Sequence, residues 1–111
     1  MTVRLTSEMW VSAYLNRLRL ADLAVYVVAR GDATAGAVIV KSATLDGRAR
    51  AFQRSVDFET GGRAWVTLAE GAEADVDAVL SRQRSRDPDL WLIEVEDRQG
   101  RTLLEQDGLR D

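Results

Sequence analysis

The sequence predicts an α+β fold: a single mixed, mostly antiparallel sheet of about five strands with two amphipathic helices packed on it, in the order α-β-β-β-β-α-β-β. Three observations lead there. Apolar residues recur at helical spacing in two segments only, one near the start of the chain and one between Glu73 and Ser85. Valine-rich or alternating runs of strand length fill the rest. Glycines and an Asp-Gly pair separate those runs closely enough for hairpins. With 111 residues, 46% of them hydrophobic, the chain suits one domain spanning 1–111.

The first helix opens at Thr6-Ser7-Glu8, where hydroxyls can cap free N–H groups and a carboxylate meets the positive end of the helix dipole. Trp10, Val11, Tyr14, Leu15, Leu18 and Ala21 then form an apolar stripe, opposite Ser12, Asn16, Arg17 and Arg19. Trp10 and Tyr14, one turn apart, are read as core rather than as a docking stripe. Ala24 to Ala29 and Ala37 to Lys41 read as two strands joined in a hairpin through the loop from Arg30 to Gly36. That glycine-bounded loop leads into a strand, so it lacks the helix N-terminus that a phosphate cradle requires.

Asp46-Gly47 turns the chain into a third strand, Arg48 to Val56, and Gly61-Gly62 turns it into a fourth. In the fourth, Arg63 to Leu68, the residues Ala64, Val66 and Leu68 take one face and Arg63, Trp65 and Thr67 the other. The second helix runs from Glu73 to about Ser85, with Val76, Val79 and Leu80 on its apolar side, acids at its start and arginines at its end. Pro88 stops it by disfavouring the α conformation at Asp87. Leu90 to Glu96 is the next strand, and Thr102 to Glu105 is expected to add a short last one before a tail that frays from Gln106. A helix between two strands suits a parallel crossover, hence a mixed sheet.

Composition removes several chemistries. There is no cysteine and no histidine, which excludes disulfides, thiolate nucleophiles, cysteine-based zinc sites and histidine-dependent triads. Fifteen basic residues against eighteen acidic give a net charge of −3, so no global field favours nucleic acid. Lys41 is the only lysine beside fourteen arginines. No apolar run is long enough to cross a bilayer, and the start from Met1 to Glu8 lacks an export pattern, so a cytoplasmic protein without a cofactor is expected.

Two clusters stand out as candidate sites. On a regular third strand Arg48, Arg50, Phe52 and Arg54 project from one face, and Arg63 and Trp65 join them where the fourth strand pairs. Guanidinium groups around two rings suit a phosphate, a nucleotide base or an acidic partner segment. The competing reading makes Phe52 and Trp65 a cross-strand aromatic pair covered by arginine stems. The second cluster is acidic: Asp87, Asp89, Glu94, Glu96 and Asp97, of which Asp89, Glu94 and Glu96 are the weak candidates for a magnesium or manganese ion. A nuclease-like motif there would need a lysine where Glu96 stands. Carboxylates that line a solvent face and pair with arginines explain the same residues.

Three stretches carry a family likeness: Ser7-Glu8-Met9-Trp10-Val11-Ser12-Ala13; Arg30-Gly31-Asp32 with Ala35-Gly36-Ala37-Val38; and Asp87-Pro88-Asp89-Leu90-Trp91 running into Ile93-Glu94-Val95-Glu96-Asp97. With them the chain, from Arg4 to about Leu104, resembles the family known as domain of unknown function 1491. The resemblance implies a small, free-standing proteobacterial protein and brings no activity, cofactor or partner with it.

The function expected from these readings is a noncatalytic protein-interaction or regulatory module that meets a protein partner or a second copy of itself, with neither membrane nor nucleic acid as its target. Two alternatives stand beside it. One is a small anionic-ligand or nucleotide-binding protein using the arginine and aromatic face, and the other is a metal-dependent enzyme built on the acidic cluster.

Overall fold

A computed structural model describes residues 5–56, 58–106, 108 and 109. Its elements are α1 (Ser7–Leu20), β1 (Ala24–Ala29), β2 (Val38–Ala43), β3 (Arg48–Val56), β4 (Arg63–Ala72), α2 (Glu73–Arg86) and β5 (Trp91–Glu96). Both helices begin as their sequences direct. The Thr6 hydroxyl accepts the Met9 backbone N–H at 3.2 Å to cap α1, and α2 starts with Glu73 and Asp75 at its positive end.

The five strands form one mixed sheet in the order β1-β5-β2-β3-β4. β5 runs parallel to β2 and antiparallel to β1, and the remaining neighbours are antiparallel. The expected hairpin between the first two strands is therefore not formed, because β5 lies between them. The physical reason is in β5 itself. Trp91, Ile93 and Val95 are buried on one face and Leu92 packs on the other, so the strand needs a neighbour on each side and a layer on each face. α2 supplies the crossover that returns the chain parallel to β2.

The two helices cover opposite faces. α1 lays Trp10, Val11, Tyr14 and Leu18 over the face made by Val38, Val40, Trp91, Ile93 and Val95. α2 lays Val76 and Leu80 over Ile39, Ala49 and Ala51 on the other. Each large side chain buried in this way contributes about 1.5–3 kcal/mol relative to exposure, and Trp91 and Tyr14 are the largest of those fully buried.

Two expectations about the C-terminal part are corrected. Thr102 to Glu105 is irregular chain rather than a strand. Where fraying from Gln106 is expected, the described residues are packed: Leu104 and Leu109 are buried under α1, Leu109 to 1% exposure. Asp107, Arg110 and Asp111 lie outside the described residues.

The likeness-bearing stretches also meet here. Asp32 donates its backbone N–H to the Asp89 carbonyl at 2.9 Å, and the Trp91 indole N–H reaches the Asp32 carbonyl at 2.8 Å. The Ser7 hydroxyl donates to the Gly36 carbonyl. A Cβ on Gly31 or Gly36 would stand 2.1 or 2.3 Å from the Asp89 carbonyl oxygen, so only glycine lets the loop close on that turn.

Candidate functional site

Register along the β3–β4 hairpin places Arg54 opposite Trp65 and Val56 opposite Arg63, so Arg48, Arg50, Phe52, Arg54, Arg63 and Trp65 do share one face. That face is the one α1 and the C-terminal segment cover, which divides the set. Arg48 and Arg50 are exposed, and Arg50 is ion-paired with Glu70 across the hairpin. Phe52 and Trp65 pack against the α1-side core. The Arg54 guanidinium lies 4.6 Å from the Trp10 ring centre and 4.9 Å from that of Trp65. The ring partner of Trp65 is Trp10, at 5.4 Å, rather than Phe52, and its indole N–H is donated to the Leu109 carbonyl at 3.0 Å. The sequence could not show this division, because it rests on which sheet face α1 and the tail occupy.

Beside the buried half of this set runs a groove of about 720 Å³. β2 stops pairing with β3 at Ile39–Gln53, while β3 continues to Val56 along β4 alone, so Arg54, Ser55 and Val56 have a strand neighbour on one side only. The groove occupies the missing side, between that edge, the N-terminus of α1 and the Gly36–Ala37 loop. Trp10 and Leu90 form part of its floor, and exposed Leu5 and Val56 and half-buried Arg63 stand at its rim. Trp10 is 3% exposed, and its buried indole N–H has no hydrogen-bond partner among the described residues. An orphaned buried donor costs about 1–3 kcal/mol, so an acceptor arriving in the groove would recover that amount. All three likeness-bearing stretches contribute to the lining, through Ser7, Gly36 and Asp87.

The acidic candidates separate. Asp89 lies in the turn before β5 and Glu96 ends the strand, whose length at about 3.3 Å per residue is roughly 16 Å, so the two sit toward opposite ends of it. Glu94 faces the α2 side and is engaged by Lys41 at 3.1 Å. Among the described residues no group of three acidic side chains is placed to hold a metal ion.

Lys41 is the residue whose role the sequence reading passed over. It lies within β2 at 4% exposure, on the face that α2 covers, and its ammonium contacts Glu73 and Asp77 at 2.7 Å and Glu94 at 3.1 Å. Burial pulls its pKa down, but hydrogen bonds to Asp77, Glu73 and Glu94 outweigh that and hold it above the usual lysine range. A lysine kept charged in this way is a structural cation, not a nucleophile. The signal was present in the sequence: a lone lysine inside Val38-Ile39-Val40 and Ser42-Ala43 requires partners once the strand is central.

Fold and site together define a small α+β domain with a covered arginine–tryptophan cluster, an open strand edge and a structural lysine. The chain belongs to the family described as protein of unknown function (DUF1491), whose model matches residues 5–105. It is similar to the crystal structure of a DUF1491 family protein from Caulobacter crescentus CB15, with 38% identity, a TM-score of 0.84, and coverage of 92% of this chain and 96% of that one. An NMR structure of a DUF1491 family protein from the same organism gives 37% identity, a TM-score of 0.81 and coverage of 94% and 96%. The solution structure of protein Atu0922 from A. tumefaciens gives 31% identity, a TM-score of 0.70 and coverage of 85% and 86%. No curated protein matches the chain.

Proposed function

We propose that this protein is a noncatalytic interaction module that takes an extended, acidic peptide segment of a partner protein into the groove between α1 and the β3–β4 hairpin. One observation carries the reading: the half-open edge of β3 at Arg54–Val56 lies beside the buried indole N–H of Trp10, which has no hydrogen-bond partner among the described residues. An incoming strand adds backbone hydrogen bonds along such an edge, and one of its carbonyls supplies the acceptor that Trp10 lacks. Arg63 at the rim favours acidic side chains in the segment, while Leu5 and Val56 offer apolar contact beside it. The charged pair Arg50–Glu70 lies outside the groove and serves as an internal control.

The test is selection of binders from a random peptide library, followed by amide and indole NMR mapping on the labelled full chain. Enriched peptides are expected to be acidic and to shift the Trp10 indole N–H together with the Ser55 and Val56 amides. Val56→Lys and Arg63→Glu should weaken binding while Arg50→Gln leaves it intact. Peptides whose shifts avoid Trp10 and β3 altogether would remove the reading.

A further inference from the structure

At the opposite end of β3 from the peptide groove lies a smaller groove of about 330 Å³, on the α1 side of the sheet. The two grooves share no lining residue. Ser42 of β2 lies in the smaller one: it is 5% exposed, stands opposite Arg50, and has the same parity as Val40 of the α1-side core. Its hydroxyl has no hydrogen-bond partner among the described residues. A buried hydroxyl without a partner works against the fold. Around it the groove presents donors and acceptors together. The Arg48 guanidinium is exposed and makes no ion pair among the described residues. Arg50 directs Nε and a terminal nitrogen at one Glu70 oxygen, which leaves the other oxygen as an acceptor. Asp46 uses one oxygen for both the Thr44 hydroxyl, at 2.6 Å, and the Arg48 backbone N–H, at 3.2 Å. Gln99 is exposed at the rim, in the turn closed by the Gly100 N–H on the Asp97 carbonyl, and Phe52 supplies an apolar patch. A further groove of about 660 Å³ shares Phe52 and Gly100 with this one and reaches Thr102 and Glu105.

We propose that this groove binds a neutral polyhydroxylated ligand of pyranose size. Charge argues against a simple anion, because Arg48 and Arg50 are matched by Asp46 and Glu70, and a phosphate would meet two carboxylates along with its two guanidiniums. A zwitterion would have to compete with the Arg50–Glu70 pair for its charges, whereas hydroxyls bind around that pair without breaking it. A sugar hydroxyl donates and accepts at once, which suits a lining of guanidinium and amide N–H groups beside carboxylate oxygens. One such hydroxyl replaces solvent at Ser42 and gives the buried side chain the partner that the fold does not provide. The Phe52 ring takes the C–H face of the pyranose. The volume is at the low end for small-molecule sites, with room for one ring, and the groove beyond Phe52 and Gly100 has room for a second.

Titration of the isotope-labelled full chain, followed through its amide resonances, decides it. The probes are D-glucose, D-galactose, D-mannose and myo-inositol, the disaccharides maltose and lactose, and, as charged controls, inorganic phosphate and glycine. At least one neutral probe is expected to shift the Ser42 and Gly100 amides and the Gln99 side-chain amide saturably, without moving the Trp10 indole N–H. A disaccharide that binds more tightly than its monosaccharides identifies the end of a glycan as the ligand, and equal binding identifies a single sugar. Ser42→Ala should weaken the binding about fivefold while the thermal midpoint stays unchanged or rises, because the hydroxyl serves a ligand and not the fold. Arg48→Gln, at an exposed position, should weaken it by a similar factor. Saturation by phosphate or glycine alone, no saturable shift with any neutral probe, or a Ser42→Ala chain that binds sugar normally or melts lower would each overturn the proposal.

Discussion

The Tyr14 hydroxyl on α1 donates to the backbone carbonyl of Thr102 at 2.7 Å, joining the first helix to the irregular chain that follows β5. Both groups are buried, so Tyr14→Phe leaves an acceptor without a donor inside the core. The expected cost is about 1–2 kcal/mol, read as a lower urea midpoint at unchanged slope.

Tyr14 and Lys41 also set the alkaline limit of the fold. Burial, and then the nearby Glu105, push the Tyr14 hydroxyl well above its ordinary range, and the three carboxylates do the same for Lys41. Above about pH 10 the unfolded chain therefore releases protons that the folded chain keeps, so stability falls as pH rises further. Urea melts across the alkaline range should show that slope, and Tyr14→Phe should flatten it.

Lys41→Met removes the cation from among three carboxylates. Breaking a buried pair costs about 3–5 kcal/mol, and the partial exposure of Glu73 and Asp77 places this case near the lower end. Adding Glu94→Gln should recover about 1 kcal/mol, because Glu94 is the most buried of the three and the one left with least solvent. A thermodynamic cycle over the two single variants and the double measures this coupling, and strict additivity would contradict it.

Asp97 governs the acid side. The Arg101 side chain, bound to both carboxylate oxygens at 2.9 and 3.0 Å, and then the Arg101 backbone N–H hold its pKa down at about 2. The stabilisation is present above the ordinary Asp value near pH 4 and disappears as pH falls through about 2. Asp97→Asn should cost about 1 kcal/mol at neutral pH, after allowance for solvent screening of the exposed guanidinium, and almost nothing at the acid end. Equal costs at both pH values would contradict this.

Three glycines make a contrast. Gly31→Ala and Gly36→Ala drive a methyl into the Asp89 carbonyl, and each should cost roughly 2–3 kcal/mol or prevent folding. Gly47 has a φ of +86° but open space around it, so Gly47→Ala should cost only about 1 kcal/mol of backbone strain. Thermal melts of the three variants order them directly.

Periodicity and turn chemistry made most elements legible. Asp46-Gly47 directly precedes the start of β3 and Gly61-Gly62 the start of β4, and the Trp10 and Tyr14 stripe is core as read. Strand order was not legible, because local signals say where a strand begins and not which neighbour it selects. The apolar run of β1 is equally compatible with pairing to β2 or to β5, and only the need of Trp91–Glu96 for neighbours on both sides decides it. The candidate site was legible in part. Residue parity correctly brought Arg54 and Trp65 to one face, but the layer above that face is made by Leu104 and Leu109, from a tail with too little pattern to read. The groove beside Trp10 arises from a difference in length between β2 and β3, which no motif encodes.

Because β5 is the only strand neighbour of β1 among the described residues, the first strand to leave the ribosome must wait for the last. The β2–β3–β4 meander can close while synthesis continues, yet Ala24 to Ala29 stays without a mate until Trp91 to Glu96 has emerged. During that interval an uncharged, valine-rich ribbon is bare on both margins, and a chain halted before Trp91 never covers it. Premature termination within α2 should therefore yield insoluble, chaperone-retained fragments rather than a smaller folded domain.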